Sequence, residues 1–427
     1  MSVLAQPRRG RVLITQAVAN ERASVRERST ILLLLIVLPM FGQTFHYLID
    51  VPPLYFLSKG WPLLTAPLAL YALFRERMPW RTLYGFLLAY VLGLTPLLAM
   101  IYFPVGFADA FATTAKTLPF LYYFSALGFF LMTRPDPREI RRVVIGLGIA
   151  TFVIMLLLWL SMPAELYRSD PQESKLLLYE VERGYRIFMP MFFGLLFVFY
   201  LARRAFLGRE FWAFAAMILC FLLLLWIFKQ RTVIGSAALV VGLIALRATS
   251  GWLRTALILA GVVAGLAAIA LIFGPYLARV EAMFGASLDI RQVSVSTALD
   301  FISNNYLALI FGAGSVTRIS VTNLHTILGN AQFFLADIGW LGVIFEYGVV
   351  GAGLILAAYL AALRQSARME GYGDPFLGAL GDYVIYMLIS SLVYSVVFTP
   401  GEVATILALL VFLHRSLPPL PQRPAAH

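Results

Sequence analysis

The chain has 427 residues, of which 61% are hydrophobic, 14% aromatic and 13% charged, and its mean hydropathy is +0.84. Globular domains carry about 25% charged residues, so a water-soluble protein is excluded and the composition is that of a polytopic membrane protein. The net charge of +11 reads first as an orientation signal in such a chain, and no nucleic-acid partner follows from it.

The segment 1–30 is a basic tail, and with the apolar run that follows it has the look of an uncleaved signal-anchor. Twelve spans are then expected, at Ile31 to Leu48, Tyr55 to Leu73, Leu83 to Tyr102, Phe111 to Met132, Val143 to Ser161 and Ile187 to Ala202, followed by Phe211 to Phe228, Val233 to Ala245, Thr255 to Phe273, Gly339 to Leu360, Phe376 to Phe398 and Ala404 to Leu413. Each approaches the roughly 17 to 25 residues that a helix needs to cross a bilayer. The sixth, eighth and twelfth are short and are expected to extend into their flanks. Together they make one all-α transmembrane domain over 31–413, with a Pro-rich tail at 414–427. Cys220 is the only cysteine and sits in the seventh span, which excludes an intramolecular disulfide and a cysteine-based metal site.

With the N-terminus inside, 22 of the 33 Lys and Arg residues fall in inner segments, as the positive-inside rule requires. Eleven cations are left on the outer side, where the rule predicts depletion. Two outer loops stand out by length, 162–186 and 274–337. In the second, Val293 to Ile310 has the spacing of an amphipathic helix on the outer face, and Gly312-Ala-Gly-Ser315 ends it.

Arg183, Arg186, Lys229, Arg231, Arg279, Arg291 and Arg318 are the outer cations of interest; Arg168 and Lys175 read as rim residues. Arginine forks bind phosphate or carboxylate in bidentate fashion, so several of them around one cavity suit a lipid-linked diphosphate. The alternative is snorkelling, or pairing with Glu180, Glu182, Glu281 and Asp289. His325 and Asp337 stand at the end of the second loop, where either can take a proton from a sugar hydroxyl; Asp337 also fits a helix N-cap. Glu346 lies within a span and requires a buried partner. The chain has no DxD or HExxH pattern and no phosphate-binding glycine loop, so a mechanism without metal or cofactor is expected.

Gln230-Arg-Thr232, Phe311-Gly-Ala-Gly314 and Asp337-Ile-Gly-Trp-Leu-Gly-Val-Ile-Phe-Glu-Tyr-Gly-Val-Val-Gly351, in that order around a large outer loop, resemble the O-antigen polymerase and O-antigen ligase superfamily. The resemblance implies a bacterial inner-membrane glycosyltransferase with both termini cytoplasmic and its site facing the periplasm. It also implies that Arg231, Arg186 and Arg291 contact the diphosphate of an undecaprenyl-diphosphate-linked glycan donor. The acceptor is then a glycan hydroxyl, on a second lipid-linked repeat for a polymerase or on lipid A-core for a ligase. Ligases of the superfamily tend to carry a His-Asn pair about eleven residues before a Gly-x-x-Gly element. Here His325 precedes Thr326 and lies fourteen residues before Gly339, which favours a polymerase. A transporter of lipid-linked glycans is the alternative of another class.

Overall fold

A computed structural model of the chain describes residues 26–170, 173–181, 183–256, 258–259, 261–263, 286–316, 333–395 and 399–418. Arg279, Arg318, His325, most of the ninth expected span and nearly all of the Pro-rich tail lie outside them. The fold is nearly all-α. Helix α1 covers 26–41, and α2 and α3 cover Pro52–Leu64 and Ala66–Arg75. They are followed by α4 at Arg81–Tyr102, α5 at Phe107–Lys116, α6 at Leu118–Thr133 and α7 at Pro137–Ser161. A two-stranded antiparallel hairpin, β1 Leu177–Glu180 and β2 Gly184–Ile187, comes next. Then follow α8 Phe192–Phe206, α9 Phe211–Phe228, α10 Arg231–Ala248, α11 Ala286–Ser303 and α12 Tyr306–Phe311. The last three are α13 Gly339–Tyr372, α14 Pro375–Ser390 and α15 Pro400–Ser416.

Five of these helices, α4, α7, α9, α10 and α13, are long and apolar enough to cross a membrane, and a sixth span results if α5 and α6 count together. The described residues thus supply fewer helices of spanning length than the twelve expected, and several of the differences have local causes. Pro62 and Pro67 flank a break at Thr65, because proline removes a helical donor and crowds the preceding turn. Pro119 follows the 54° bend between α5 and α6. The sixth expected segment begins as strand at Ile187 and becomes helix only at Phe192. As expected for short apolar runs, α8, α10 and α15 extend beyond the sixth, eighth and twelfth segments.

One end of the bundle is held by paired charges. Asp136 starts α7 with a capping box, accepting from the Arg138 N–H while Glu139 accepts from its own, and Asp374 caps α14 at the Phe376 N–H. Arg203 pairs with the buried Asp382, Arg141 with Asp374, Arg247 with Glu370 and Arg415 with Glu76. Several of the arginines that flank the apolar segments thus meet acids from neighbouring helices at this end. The hairpin, the α9–α10 turn, the 42–50 turn and the 391–395 turn gather at the other.

A large aromatic and aliphatic core joins the helices, with Phe41, Phe120, Tyr122, Phe130, Phe199 and Phe228 fully buried. A second cluster forms where α11 and α12 cover Phe345 of α13, with Phe301 and Phe333 at 5.1 and 5.6 Å from its ring. The single amphipathic helix expected over 293–310 is two helices. Asn304 and Asn305 interrupt it, each bonding a carbonyl four residues back through its amide side chain, which competes with the helical ladder.

Helix α13 is itself interrupted. Gly348 takes φ 65° and ψ 179°, a conformation open to glycine, and the break strips neighbouring carbonyls of their helical donors. The Ala313 N–H donates to Phe345 O at 2.8 Å, the Gly314 N–H donates to Glu346 O at 3.1 Å, and the Tyr90 hydroxyl is shared between Tyr347 O and Phe311 O. Gly312 and Gly314 have φ of 90° and 85°, and a Cβ on Gly312 would overlap the Glu346 and Tyr347 backbone. Gly312→Ala is therefore expected to destabilise the protein by about 3 kcal/mol. Gly353→Ala, where a Cβ meets nothing within 4 Å, is expected to be neutral or to stabilise by up to about 1 kcal/mol. Thermal unfolding in detergent distinguishes them, and equal midpoints for the two variants would refute the docking role of Gly312.

Candidate functional site

The hairpin end carries four of the seven cations that sequence reasoning selects: Arg183, Arg186, Lys229 and Arg231. In sequence, the segments 177–187 and 228–232 hold these four cations and two carboxylates, Glu180 and Glu182, of which Glu182 lies outside the described residues. The register sets Arg186 opposite Leu178 and turns it inward, 7% exposed. Its guanidinium bonds Glu180, and Arg183 Nε approaches the same carboxylate at 3.4 Å. Two guanidinium groups therefore divide one negative charge. Burial pushes Arg186 below its usual range while Glu180 acts in the opposite direction, and its Nε is buried with no hydrogen-bond partner among the described residues. An orphaned buried donor costs about 1–3 kcal/mol.

Lys229 fixes the geometry of this cluster. It adopts the left-handed conformation with φ 55° at the end of α9, and its ammonium donates to Arg183 O at 3.0 Å and Tyr185 O at 2.9 Å. Phe228 beside it stacks on Phe188 at 5.7 Å. Two residues on, Arg231 opens α10 and is exposed. The structure thus brings Arg183, Arg186 and Lys229 together and sets Arg231 on the same turn. Arg291 is half-buried on α11, which packs on α12 and α13, and is not part of the hairpin's hydrogen-bonded cluster. The pairing of outer arginines with Glu180, weighed from the sequence as the alternative to ligand binding, is observed for Arg183 and Arg186.

Asp337 does not cap α13. It closes a short 3-10 turn over Leu335–Asp337, and Ile338 holds the cap position without a side-chain bond. Gly339 has φ 52°, which lets the chain approach the carbonyls of Ser391 and Leu392. Ala336 O accepts from the Ser395 N–H at 2.9 Å, and the Trp340 indole donates to Ser391 at 2.8 Å. Tyr394, next to Ser395, is near enough to act electrostatically on Arg186. The 391–395 turn therefore links the Asp337 turn to the hairpin.

Glu346 has the buried partner its position demands. It is 4% exposed, its carboxylate lies 2.5 Å from the Lys116 ammonium, and Ser315 donates to it at 2.9 Å. Lys116 is one of the eleven outer cations and comes from the bend between α5 and α6. Sequence reasoning missed Glu402 at the start of α15, which accepts from Tyr383 at 2.7 Å. The signal was its place just before the last apolar run. It also passed over His46 and Lys59, whose Nε2 and Nζ are 2.8 Å apart. Among the described residues no three His, Cys, Asp or Glu side chains converge as a metal site would require.

No family model matches the chain, and no curated protein matches it.

Removing one partner of a buried pair strands the other charge, at a cost of about 3–5 kcal/mol. Lys116→Met is expected to lose roughly the lower figure, since the lysine is partly exposed. Lys116→Met/Glu346→Gln is expected to regain part of that loss in thermal unfolding. A double variant no more stable than Lys116→Met would show that the two groups do not act as a pair.

Proposed function

We propose that the chain is a membrane-embedded glycosyltransferase that moves a glycan from undecaprenyl diphosphate to an acceptor sugar hydroxyl, as a polymerase of polysaccharide repeat units. The observation that carries this reading is the buried Arg186, which among the described residues shares one carboxylate with Arg183 and keeps a donor without a partner. A buried guanidinium with a spare donor interacts more strongly with an anion than one in bulk water does. The proposed topology has twelve spans in a bacterial inner membrane. The charge-paired end is cytoplasmic, as are both termini, and the hairpin end is periplasmic.

In the reaction, the acceptor oxygen attacks the anomeric carbon, and the bond from that carbon to the diphosphate oxygen breaks with its electron pair leaving on the diphosphate. Arg183, Arg186 and Arg231 stabilise that charge, with Arg279, Arg291 and Arg318 as further candidates. Lys229 holds the hairpin in place. Asp337 or His325 takes the acceptor proton. The diphosphate carries two negative charges in the donor and gains a third as it departs, and the guanidinium groups stabilise that added charge. A ligase would follow the same steps with lipid A-core as acceptor.

Losing one donor to a developing oxyanion costs about 10²–10³ in rate. Arg186→Ala and Arg231→Ala are each expected to lower transfer by that factor, and Asp337→Asn to lower it where Asp337 is the base. The measurement is chain extension by purified protein in vesicles, supplied with an undecaprenyl-diphosphate oligosaccharide and no nucleotide. Unchanged product length and yield in both arginine variants would remove the proposed site. Movement of the lipid across the vesicle without new glycosidic bonds would indicate a transporter instead.

A further inference from the structure

A second group of donors sits beside the hairpin, at the 42–50 turn. Asp50 accepts from the Ser174 hydroxyl and from the backbone N–H groups of Lys175 and Leu176. Those bonds anchor the strand entering β1 and deliver the Lys175 ammonium over the Tyr47 ring, 5.3 Å from its centre. Lys59 of α2 reaches the same ring from another direction, at 5.7 Å, and the Tyr55 ring at 5.5 Å. Two half-buried ammonium groups thus converge on one aromatic side chain.

The hydrogen-bond inventory here has donors in excess. An ammonium has three N–H donors and no acceptor, so at 2.8 Å it must donate to His46 Nε2. The imidazole is then neutral with its proton on Nδ1. His46 is 2% exposed, and that Nδ1–H has no hydrogen-bond partner among the described residues. Lys59 forms no ion pair among them either. Asp50 is held by its three donors, and Glu402, which acts on Tyr47 electrostatically, by the Tyr383 hydroxyl. A buried imidazole N–H without an acceptor and an ammonium without an ion pair among the described residues are completed by an anion from outside the chain.

The spacing relates this group to the hairpin cluster. Lys175 lies in the bend before β1, three residues from Leu178, the register partner of Arg186, and three residues of chain span at most about 10 Å. Two cationic nests therefore lie side by side on one hairpin.

We propose that Lys59, Lys175 and His46 form a second anion site, which binds the phosphate-bearing head of the acceptor lipid while the arginine cluster binds that of the donor. The proposal rests on the glycosyltransferase reading and deepens it, because two diphosphate sites are what joining two lipid-linked repeats requires. Lipid A-core as acceptor has no need of a second polyprenyl diphosphate.

Native mass spectrometry of the detergent-solubilised chain titrated with undecaprenyl diphosphate tests this, with phosphatidylglycerol as the competing phosphate head group. The wild type is expected to bind two molecules. Lys59→Gln and Lys175→Gln are each expected to weaken one binding event at least tenfold and leave the other unchanged, while Arg231→Ala weakens the other. Should Lys59→Gln fail to fold, Lys175→Gln alone decides. One molecule bound by the wild type, or two retained by the lysine variants, would overturn the second site while leaving the donor site intact. Equal displacement by phosphatidylglycerol would overturn it in favour of a general lipid contact. No binding by the wild type would end both readings.

Discussion

Gly348 interrupts the 34-residue helix α13 in an apolar interior, and every carbonyl exposed by the break has to be met by the protein itself. Lipid and packed side chains offer no donor, and an unmet carbonyl there costs several kcal/mol. The segment Phe311–Gly314 answers that demand with backbone N–H groups, and Tyr90 answers it with a hydroxyl. Tyr90 itself begins a π-helical turn in α4, where the ladder is widened. Three elements far apart in the chain are thereby locked together by backbone polarity. The same junction seats Ser315 and Lys116 against Glu346, so the charge in the interior is placed by the break that makes the junction necessary.

Charge is arranged differently at the two ends of the bundle. At one end acids match the arginines they meet in number: Arg203 and Arg247 share Asp382 and Glu370, and Arg415 meets Glu76. These ion pairs hold helix ends together. At the hairpin end Arg183 and Arg186 divide Glu180, and Lys59 faces a neutral imidazole. A field confined by low-dielectric walls acts strongly on any anion that enters.

Much of this was legible residue by residue, and the limits are physical. Glu346 announced a buried partner because an isolated carboxylate in a span is too costly, yet nothing local identified Lys116, 230 residues away. The glycines of Phe311-Gly-Ala-Gly314 were visible as a break, while their docking on Gly348 depends on tertiary approach. Pro62, Pro67 and Pro119 carried the signal that the second and fourth segments are not single straight helices. The hairpin gave no periodic signature, since four-residue strands with polar and apolar residues interspersed look like loop. Asp337 fitted a cap by position, but Gly339 in the left-handed region moves the helix start one residue on. Glu402 was hidden by starting the last span at Ala404, four residues after α15 begins at Pro400.

The αL conformation at Lys229 ties these strands of argument together. A left-handed non-glycine residue costs roughly 1–2 kcal/mol, and it persists where surrounding bonds over-determine it. Here those bonds are the Lys229 N–H to Leu224 O at 2.8 Å and the ammonium to two hairpin carbonyls. The lysine that sequence reasoning grouped with the anion-binding arginines thus has its donors directed at the backbone. Its charge still contributes to the local field, but its geometry sets the distance between the hairpin and the turn that carries Arg231. On the proposed reading, arginines on two separate elements grip one diphosphate only if that distance is held, and a backbone-bonded ammonium would hold it without competing for the anion.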